Sequence, residues 1–519
     1  MSGAAKQQLS FADWEMVHQG LKLDPCLQAI SDFLDDNAAM IDAVRRDLTR
    51  GLKNPNTGRH GLTPQQVLRS LILKRVKNWD YRELRDRIAD GYSLRKFTEF
   101  YSQPVPKYHA FNHAFNRLTP KTLKVINDLV VKAAVDLGLE DGNKLRGDTT
   151  VVQTDIHHPT DNTLLWDVVR VVTRTVGRLA DAIGRRIEGF HNRTRAARRR
   201  MQEIQRLTPS ARKSQQTSKY QALIGIADEV VTSAREALWR TGKARGKTVV
   251  DDLAITAYRE AIEHYCKLGD RVIDQSRRRV LEGEQVPNAE KIYSIFEPHT
   301  DLIKRGKVQT PIEFGHKVFL TESAKGLITQ YEVLDGNPND QCHVEPSLKR
   351  HKEAFGKAPE VYGLDRGFFS EENVEICEQG GVVVVSIPQR GGQKTPERQA
   401  YEKSRAFKEG QRFRAGIEGR ISVLFRGRGM KRCHAEGRER FELWVGAAVL
   451  ANNLMKIADL RYKQTRRKRK PAEASGRGKS RKPNKQKAIA AKSASHRRNT
   501  LRGGRCRPSL PASDMTLSL

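Results

Sequence analysis

Apolar positions recur at helical spacing through the first 140 residues. Leu27, Ile30, Phe33 and Leu34 open one stripe, and Met40, Ile41, Val44 and Leu48 continue it. Thr63-Pro64-Gln65-Gln66 reads as a helix start: a hydroxyl to accept from the third amide, a proline at the first position, and a glutamine to close the box. Behind it Val67, Leu68, Leu71, Ile72 and Val76 form an apolar face. Asp80 is placed to cap a helix from Tyr81 to Ala89 that ends at Gly91. A third helix starts at Ser93 with Leu94, Phe97 and Phe100, and a long one is predicted near Phe111 to Leu137. From Gly142 to Val152 the residues turn β-branched, which predicts the first strand of a new domain. Helical spacing returns from Leu164 to about Ala289 in Leu164, Leu165, Val168, Val169, Val172 and Val176, with the basic run Arg193 to Arg200 inside it.

The β signal then resumes. Pro311 to Leu320 and Leu327 to Leu334 flank Gly326 as a hairpin, followed by a helix over Asp340 to Phe355. Val361 to Leu364 suits a buried strand, Glu371 to Gln379 a helix, and Val382 to Pro388 a continuous buried strand. Ile417, Ile421 and Leu424 lie on one helical face, and a helix from Phe441 to Leu460 closes the core. Strands on both sides of short helices predict an α/β fold with a mixed sheet. The boundaries expected are a helical amino-terminal domain at 1–140, a catalytic domain at 141–163 and 290–462, a helical insertion at 164–289, and a basic disordered tail at 463–519.

Charge adds the partner. The 519 residues hold 94 Lys and Arg against 61 Asp and Glu, a net charge of +33, which argues for a polyanion such as nucleic acid. Arg461 to Leu519 alone holds 19 Lys and Arg but only two acids, Glu473 and Asp514, so the tail carries over half the excess. It suits a DNA-gripping arm and equally a merely solvated tail. The early helices also carry Arg69, Lys74, Arg75, Lys77, Arg82, Arg85, Arg87, Arg95 and Lys96. That suits a helix-turn-helix type of DNA-binding bundle, and equally an ordinary helical domain with a solvated basic face. No apolar run approaches the roughly 20 residues of a membrane span, and Met1 to Ser10 lacks a signal-peptide pattern. Six scattered cysteines without a C-x-x-C pair argue against a zinc site or a disulfide framework.

Three acids are the candidates for chemistry. Asp365 follows the strand Val361 to Leu364 and precedes a break at Gly367, which places it on a sheet rim or in a turn. Asp148 lies in the first strand. Glu418 lies on a helix, four residues after Arg414, a spacing that also suits a plain surface ion pair. Two strands and a helix could bring these carboxylates together, and such a set suits hard Mg²⁺ ions acting on a phosphodiester. His157 and His158, beside Asp155 and Asp161, invite a metal reading, but Pro159 favours loop packing.

In this order the motifs resemble bacterial insertion-sequence transposases with an Asp-Asp-Glu triad, of ISNCY type with an InsH-like amino-terminal domain. Its carriers are Gly61 to Phe100, Gly147-Asp148-Thr149-Thr150-Val151-Val152, Glu297-Pro298-His299-Thr300, Glu313-Phe314-Gly315-His316-Lys317-Val318, Asp365-Arg366-Gly367-Phe368 and Gly416-Ile417-Glu418-Gly419. The resemblance implies a ribonuclease H-like mixed sheet with a helical insertion, preceded by an all-α DNA-binding domain. It implies that Asp148, Asp365 and Glu418 bind Mg²⁺, with Mn²⁺ as a substitute and two ions in the site. They would cut DNA at the element ends, and the freed 3′-hydroxyl would attack target DNA. Arg414, Lys317, Arg366 and Arg420 would contact DNA. Gln411 and Phe425 stand where some relatives carry a Tyr and a Lys, so that extended signature is incomplete. The implied partners are terminal inverted repeats and target DNA, with a homodimer or larger assembly and no membrane. The implied location is cytoplasmic, on the nucleoid. The alternatives are a nuclease with the same triad and a noncatalytic or domesticated DNA-binding protein.

Overall fold

The computed structural model describes residues 22–54, 61–304 and 311–473, together with Phe11 and Thr57. The basic tail beyond Glu473 lies outside the described residues. From Leu23 on the described helices come first: α1 (Pro25–Asp35), α2 (Ala38–Thr49), α3 (Pro64–Lys77), α4 (Tyr81–Asp90), α5 (Tyr92–Phe97), α6 (Tyr108–Phe115) and α7 (Pro120–Asp136). The Thr63–Gln66 capping box opens α3, and Asp80 caps α4 as its sequence indicates. The long helix expected from Phe111 to Leu137 is instead two. Pro120 cannot continue the first, and Thr119 Oγ1 accepts from Thr122 N (3.1 Å) to start the second.

The sheet is built around β1 (Lys144–Thr154). Antiparallel to it runs β3 (Ile312–Ser323), which pairs on its far side with β2 (Asp301–Lys304) and β4 (Ile328–Val333). On the other side β5 (Val361–Gly363) runs parallel to β1, and β6 (Val384–Ser386) runs parallel to β5. A two-residue strand, β7 (Arg432–Cys433), continues beside the end of β1. The order β4-β3-β1-β5-β6 is therefore mixed, with an antiparallel half and a parallel half. The run expected as one buried strand from Val382 to Pro388 shrinks to β6. This is the last strand of the order, and Val383 is 75% exposed, as the outward side of an edge can be.

Between β1 and β2 lie α8 (Asp161–Ile183), α9 (Thr194–Gln205), α10 (Pro209–Arg240) and α11 (Val249–Ser276), an insertion with its own apolar core. After β4 come α12 (Val344–Phe355), α13 (Glu371–Gln379), α14 (Pro396–Lys403), α15 (Arg405–Gly427) and α16 (Arg438–Glu473). The last runs beyond Leu460, where the sequence reading ended it. One face of the sheet packs Val152, Val318, Leu320 and Tyr331 against Leu424, Phe441 and Val445 of α15 and α16. The other packs Leu145, Phe319, Tyr362 and Val385 against Val344, Leu348 and Cys377 of α12 and α13.

The early helices do not form a core of their own. Their apolar residues share one with Ala447, Leu450, Leu454 and Ile457 of α16 and with Leu327. Much of their basic charge points inward too. Arg69 is buried between Asp35 (2.5 Å) and Glu99 (2.9 Å), and the Arg75 guanidinium sits 3.7 Å over the Trp444 ring. Lys74 lies over Tyr81, and burial pushes its ammonium down to about 7. Arg95 donates to the carbonyls of Ala89, Tyr101 and Gln103. Of the predicted basic face, Lys77, Arg82 and Arg87 are left exposed. No helix among the described residues is long and apolar enough to cross a membrane.

Candidate functional site

Register brings the two aspartates level. Arg146 of β1 stands opposite Gly363 of β5, so Asp148 on β1 and Asp365 just past the end of β5, each two residues on, come side by side. Asp365 also serves the local turn, accepting from Gly367 N (2.7 Å). Asp148 accepts from Thr149 N (2.8 Å). The third acid depends on how closely α15 approaches the sheet. Ser404 caps this helix, and Gly410 lets it settle: a Cβ there would come 2.6 Å from Ser386 Cβ on β6. One turn further on, Arg414 enters between the strand ends.

The Arg414 guanidinium gathers all three acids. Its Nη2 lies 2.9 Å from Asp148 Oδ2 and 3.6 Å from Asp365 Oδ2, and its Nη1 lies 3.7 Å from Glu418 Oε1. Burial falls off across the set. The Asp148 side chain is 13% exposed, Asp365 36% and Glu418 72%, so the acids run from the floor of a cleft to its rim. Burial pushes the Asp148 carboxyl up to about 6; Arg414 opposes the shift, and Asp365 and Asp340 reinforce it.

Asp340 is the carboxylate that sequence reading missed. It opens a short 3₁₀ turn before α12, where it passes for a helix-start residue. Its Oδ1 accepts from Thr149 Oγ1 (3.1 Å) and meets Lys317 Nζ at 3.0 Å. A Cβ on Gly367 would lie 2.9 Å from Asp365 Oδ1 and 3.0 Å from Asp340 Oδ2, so these two acids face the same spot. The available signal was its position after β4, in a Gly-Asn-Pro-Asn turn that carries the chain back across the sheet. The cleft encloses about 1200 Å³, and Lys304, Lys317, Arg390, Arg426 and Lys431 line it along with the acids.

Of the four basic residues expected at DNA, Arg414 and Lys317 are at the acids, each already engaged by a carboxylate. Arg366 is exposed beside Asp365. Arg420 is elsewhere: its Nε meets the buried Glu322 at 2.8 Å, and Nη1 donates to Asn452. Arg146 meets the same Glu322 at 2.7 Å. A carboxylate with 1% exposure needs both cations, and this pairing takes Arg420 away from the cleft.

The histidine motifs turn out to be struts. Glu297 accepts from Gly437 N (3.0 Å) and from His299 (2.6 Å), His299 meets His316 (2.6 Å), and His316 reaches Asp301 (2.9 Å). Together they tie β2 and β3 to the start of α16, with the buried His316 held below its usual pKa mainly by desolvation. His157 meets Asp167 at 3.4 Å and His158 stands edge-on to Phe314, which is loop packing.

Three carboxylates about one cation are a hard-oxygen donor set, the kind Mg²⁺ takes. Among the described residues no three His, Cys, Asp or Glu side chains close up enough to hold a metal as they stand. The guanidinium occupies the centre.

Residues 19–117 match the family model of a transposase domain (DUF772). The match covers the helices up to α6 and ends before β1, so it does not reach the acids. No curated protein and no solved structure gave a match.

Proposed function

We propose that the chain is an Asp-Asp-Glu DNA transposase that cuts the ends of an insertion sequence and joins them to target DNA. One observation carries this: Asp148, Asp365 and Glu418, far apart in sequence, converge on a single guanidinium at a cleft that lysines and arginines also line. The strand order β4-β3-β1-β5-β6, with one antiparallel neighbour for β1 and two parallel strands beyond it, supports a ribonuclease H-like sheet. The transposase-domain match over residues 19–117 supports the same reading. Asp148, Asp365 and Glu418 would hold Mg²⁺ or Mn²⁺, in two sites, with Asp340 within reach as a further ligand. Bound there, the ions would supply Lewis-acid stabilisation of the phosphodiester and a more acidic attacking water or 3′-hydroxyl.

The protein's own part follows from its charges. DNA phosphate offers Arg414 an alternative partner, a bidentate one that its planar fork suits. As the guanidinium moves to phosphate, the carboxylates lose their cation and become available to another. Lys317 pairs with Asp340 (3.0 Å) and lies where a phosphate entering the cleft would pass. Asp148 has to be deprotonated to act as a ligand, which its environment permits above about pH 6. The terminal repeats, the target DNA and a dimeric or larger assembly are the implied partners. Cleavage of a labelled duplex carrying the repeats, followed by joining to plasmid, tests the reading. Cutting without joining would favour a nuclease, and binding without cutting a noncatalytic DNA-binding protein.

A further inference from the structure

Arg69, Lys74 and Arg75 of α3 are buried, but another set of early cations is not. It lies where the end of α2 meets the start of α7. Arg46, Asp47 and Arg50 on one side, and Thr119, Lys121 and Thr122 on the other, line a groove of about 360 Å³. Arg46, Arg50 and Lys121 are exposed. Arg50 is also clasped to Arg117: Arg50 Nη2 donates to Arg117 O (3.4 Å), and Arg117 Nη2 donates to Arg50 O (2.8 Å). The clasp holds two like charges together, and Arg117 Nε is buried without a partner.

The acids nearby do not neutralise this seam. Asp47 is 7% exposed, and its Oδ2 accepts from Thr119 N (2.8 Å). Asp42, one turn back on α2, pairs with Arg45 at 2.7 Å. Lys124 and Asp128, further along α7, line a different recess and offset each other. Among the described residues no carboxylate forms an ion pair with Arg46, Arg50, Arg117 or Lys121. Four cations face one acid. Cations held this close without a counter-ion gain most from an anion that several of them share. The groove also opens on the first turn of α7, where the helix dipole adds positive potential.

We propose that the seam between α2 and α7 is a contact for the phosphate backbone of duplex DNA. It shares no residue with the cleft that holds the acids. Arg46 and Arg50 stand about one helical turn apart, roughly 6 Å, and present planar forks that suit phosphate oxygens. Lys121 meets the same strand from the other side of the groove. Contacts of this kind fix the protein's place on the duplex and read no sequence. The inference rests on the transposase reading for its partner, but not on the acids.

The test is fluorescence anisotropy of the full chain on a fluorescein-labelled 40-base-pair duplex of arbitrary sequence, measured across a salt series. Arg46→Gln, Arg50→Gln and Lys121→Gln together should weaken binding and flatten the slope of log affinity against log salt by roughly 2 to 3. Arg46→Gln with Lys121→Gln leaves the Arg50 clasp intact and should flatten it by about 2. Lys77→Gln, Arg82→Gln and Arg87→Gln remove as many exposed charges from α3 and α4, and should change the slope by less than about 1. Circular dichroism on the same proteins confirms that each is folded, and the double variant decides if the triple one is not. An unchanged slope in the seam variants, or an equal change in the two triple sets, would overturn the proposal and leave the catalytic reading intact. Failure of the wild type to bind any duplex would overturn both.

Discussion

Arg414 can satisfy three carboxylates only because its guanidinium presents donors in a fixed plane, and the same property lets it exchange them for a phosphate. Any divalent ion entering this site has to compete with it. Arg414→Ala is therefore expected to tighten Mn²⁺ binding to the DNA-free protein, measured by electron paramagnetic resonance, while DNA cleavage falls by roughly a hundredfold. Weaker Mn²⁺ binding in that variant would show that the guanidinium is no competitor. Asp148 adds a pH dependence. With its carboxyl raised to about 6 by burial, it is neutral below that pH and ionised above it. Mn²⁺ affinity should thus fall toward tenfold per pH unit below about pH 6 and level off above it, as a titration from pH 5 to 7.5 would show. Its contribution to folding has the opposite sign. Between the unfolded carboxylate's pKa near 4 and about 6 the native state holds more protons, so stability falls as pH rises through that window. At this scale the sequence named three of the four acids through their motifs. Asp340 escaped because a turn acid before a helix looks like a cap, and only the fold shows Lys317 and Thr149 turning it toward Asp148.

The site exists because α15 lies close to β5 and β6, and a glycine permits this. Gly410→Ala would drive a methyl into Ser386, with a Cβ separation of 2.6 Å. It is expected to cost roughly 1–3 kcal/mol in thermal or urea unfolding and to lower cleavage, although residue 410 touches none of the acids. Gly419 on the same helix meets nothing within 4 Å, so Gly419→Ala should be neutral or slightly stabilising. Equal effects from the two would remove close approach as the reason for Gly410. Helices and hairpin were legible because period and capping residues are local signals. Thr63 and Asp80 start helices where they stand. The short strands β2 and β7 and the trimmed β6 were not, since two to four residues carry no periodicity and their pairing is decided by neighbours distant in sequence.

For the whole molecule, the early helices and α16 share one core, although the whole sheet lies between them in sequence. Arg75 on the Trp444 ring, and Asn127 bonded to Asn453 (2.8 Å), fasten the two regions. A fragment of residues 1–140 is therefore expected to remain unfolded by circular dichroism and hydrogen exchange, and a cooperatively folded fragment would contradict the shared core. Lys74, inside that junction with its pKa near 7, should make stability rise with pH from about 7 toward 10, because the unfolded chain holds the proton there and the native one does not. Lys74→Met should flatten that rise in thermal unfolding. Sequence reading drew a boundary near residue 140 because the periodicity changes there. Periodicity reports what each segment folds into, and it carries no information on which segments share a core. It also took the cations of α3 for a surface, where the fold has buried Arg69, Lys74 and Arg75.

The central claim is that Asp148, Asp365 and Glu418 act together on DNA. The most direct measurement is Mg²⁺-dependent cutting of an element-end duplex by the wild type and by Asp365→Asn, with duplex affinity measured on the same proteins. The expected result is cleavage reduced by roughly a thousandfold with affinity unchanged. Cleavage at the wild-type rate in the variant, with the same ions present, would contradict it.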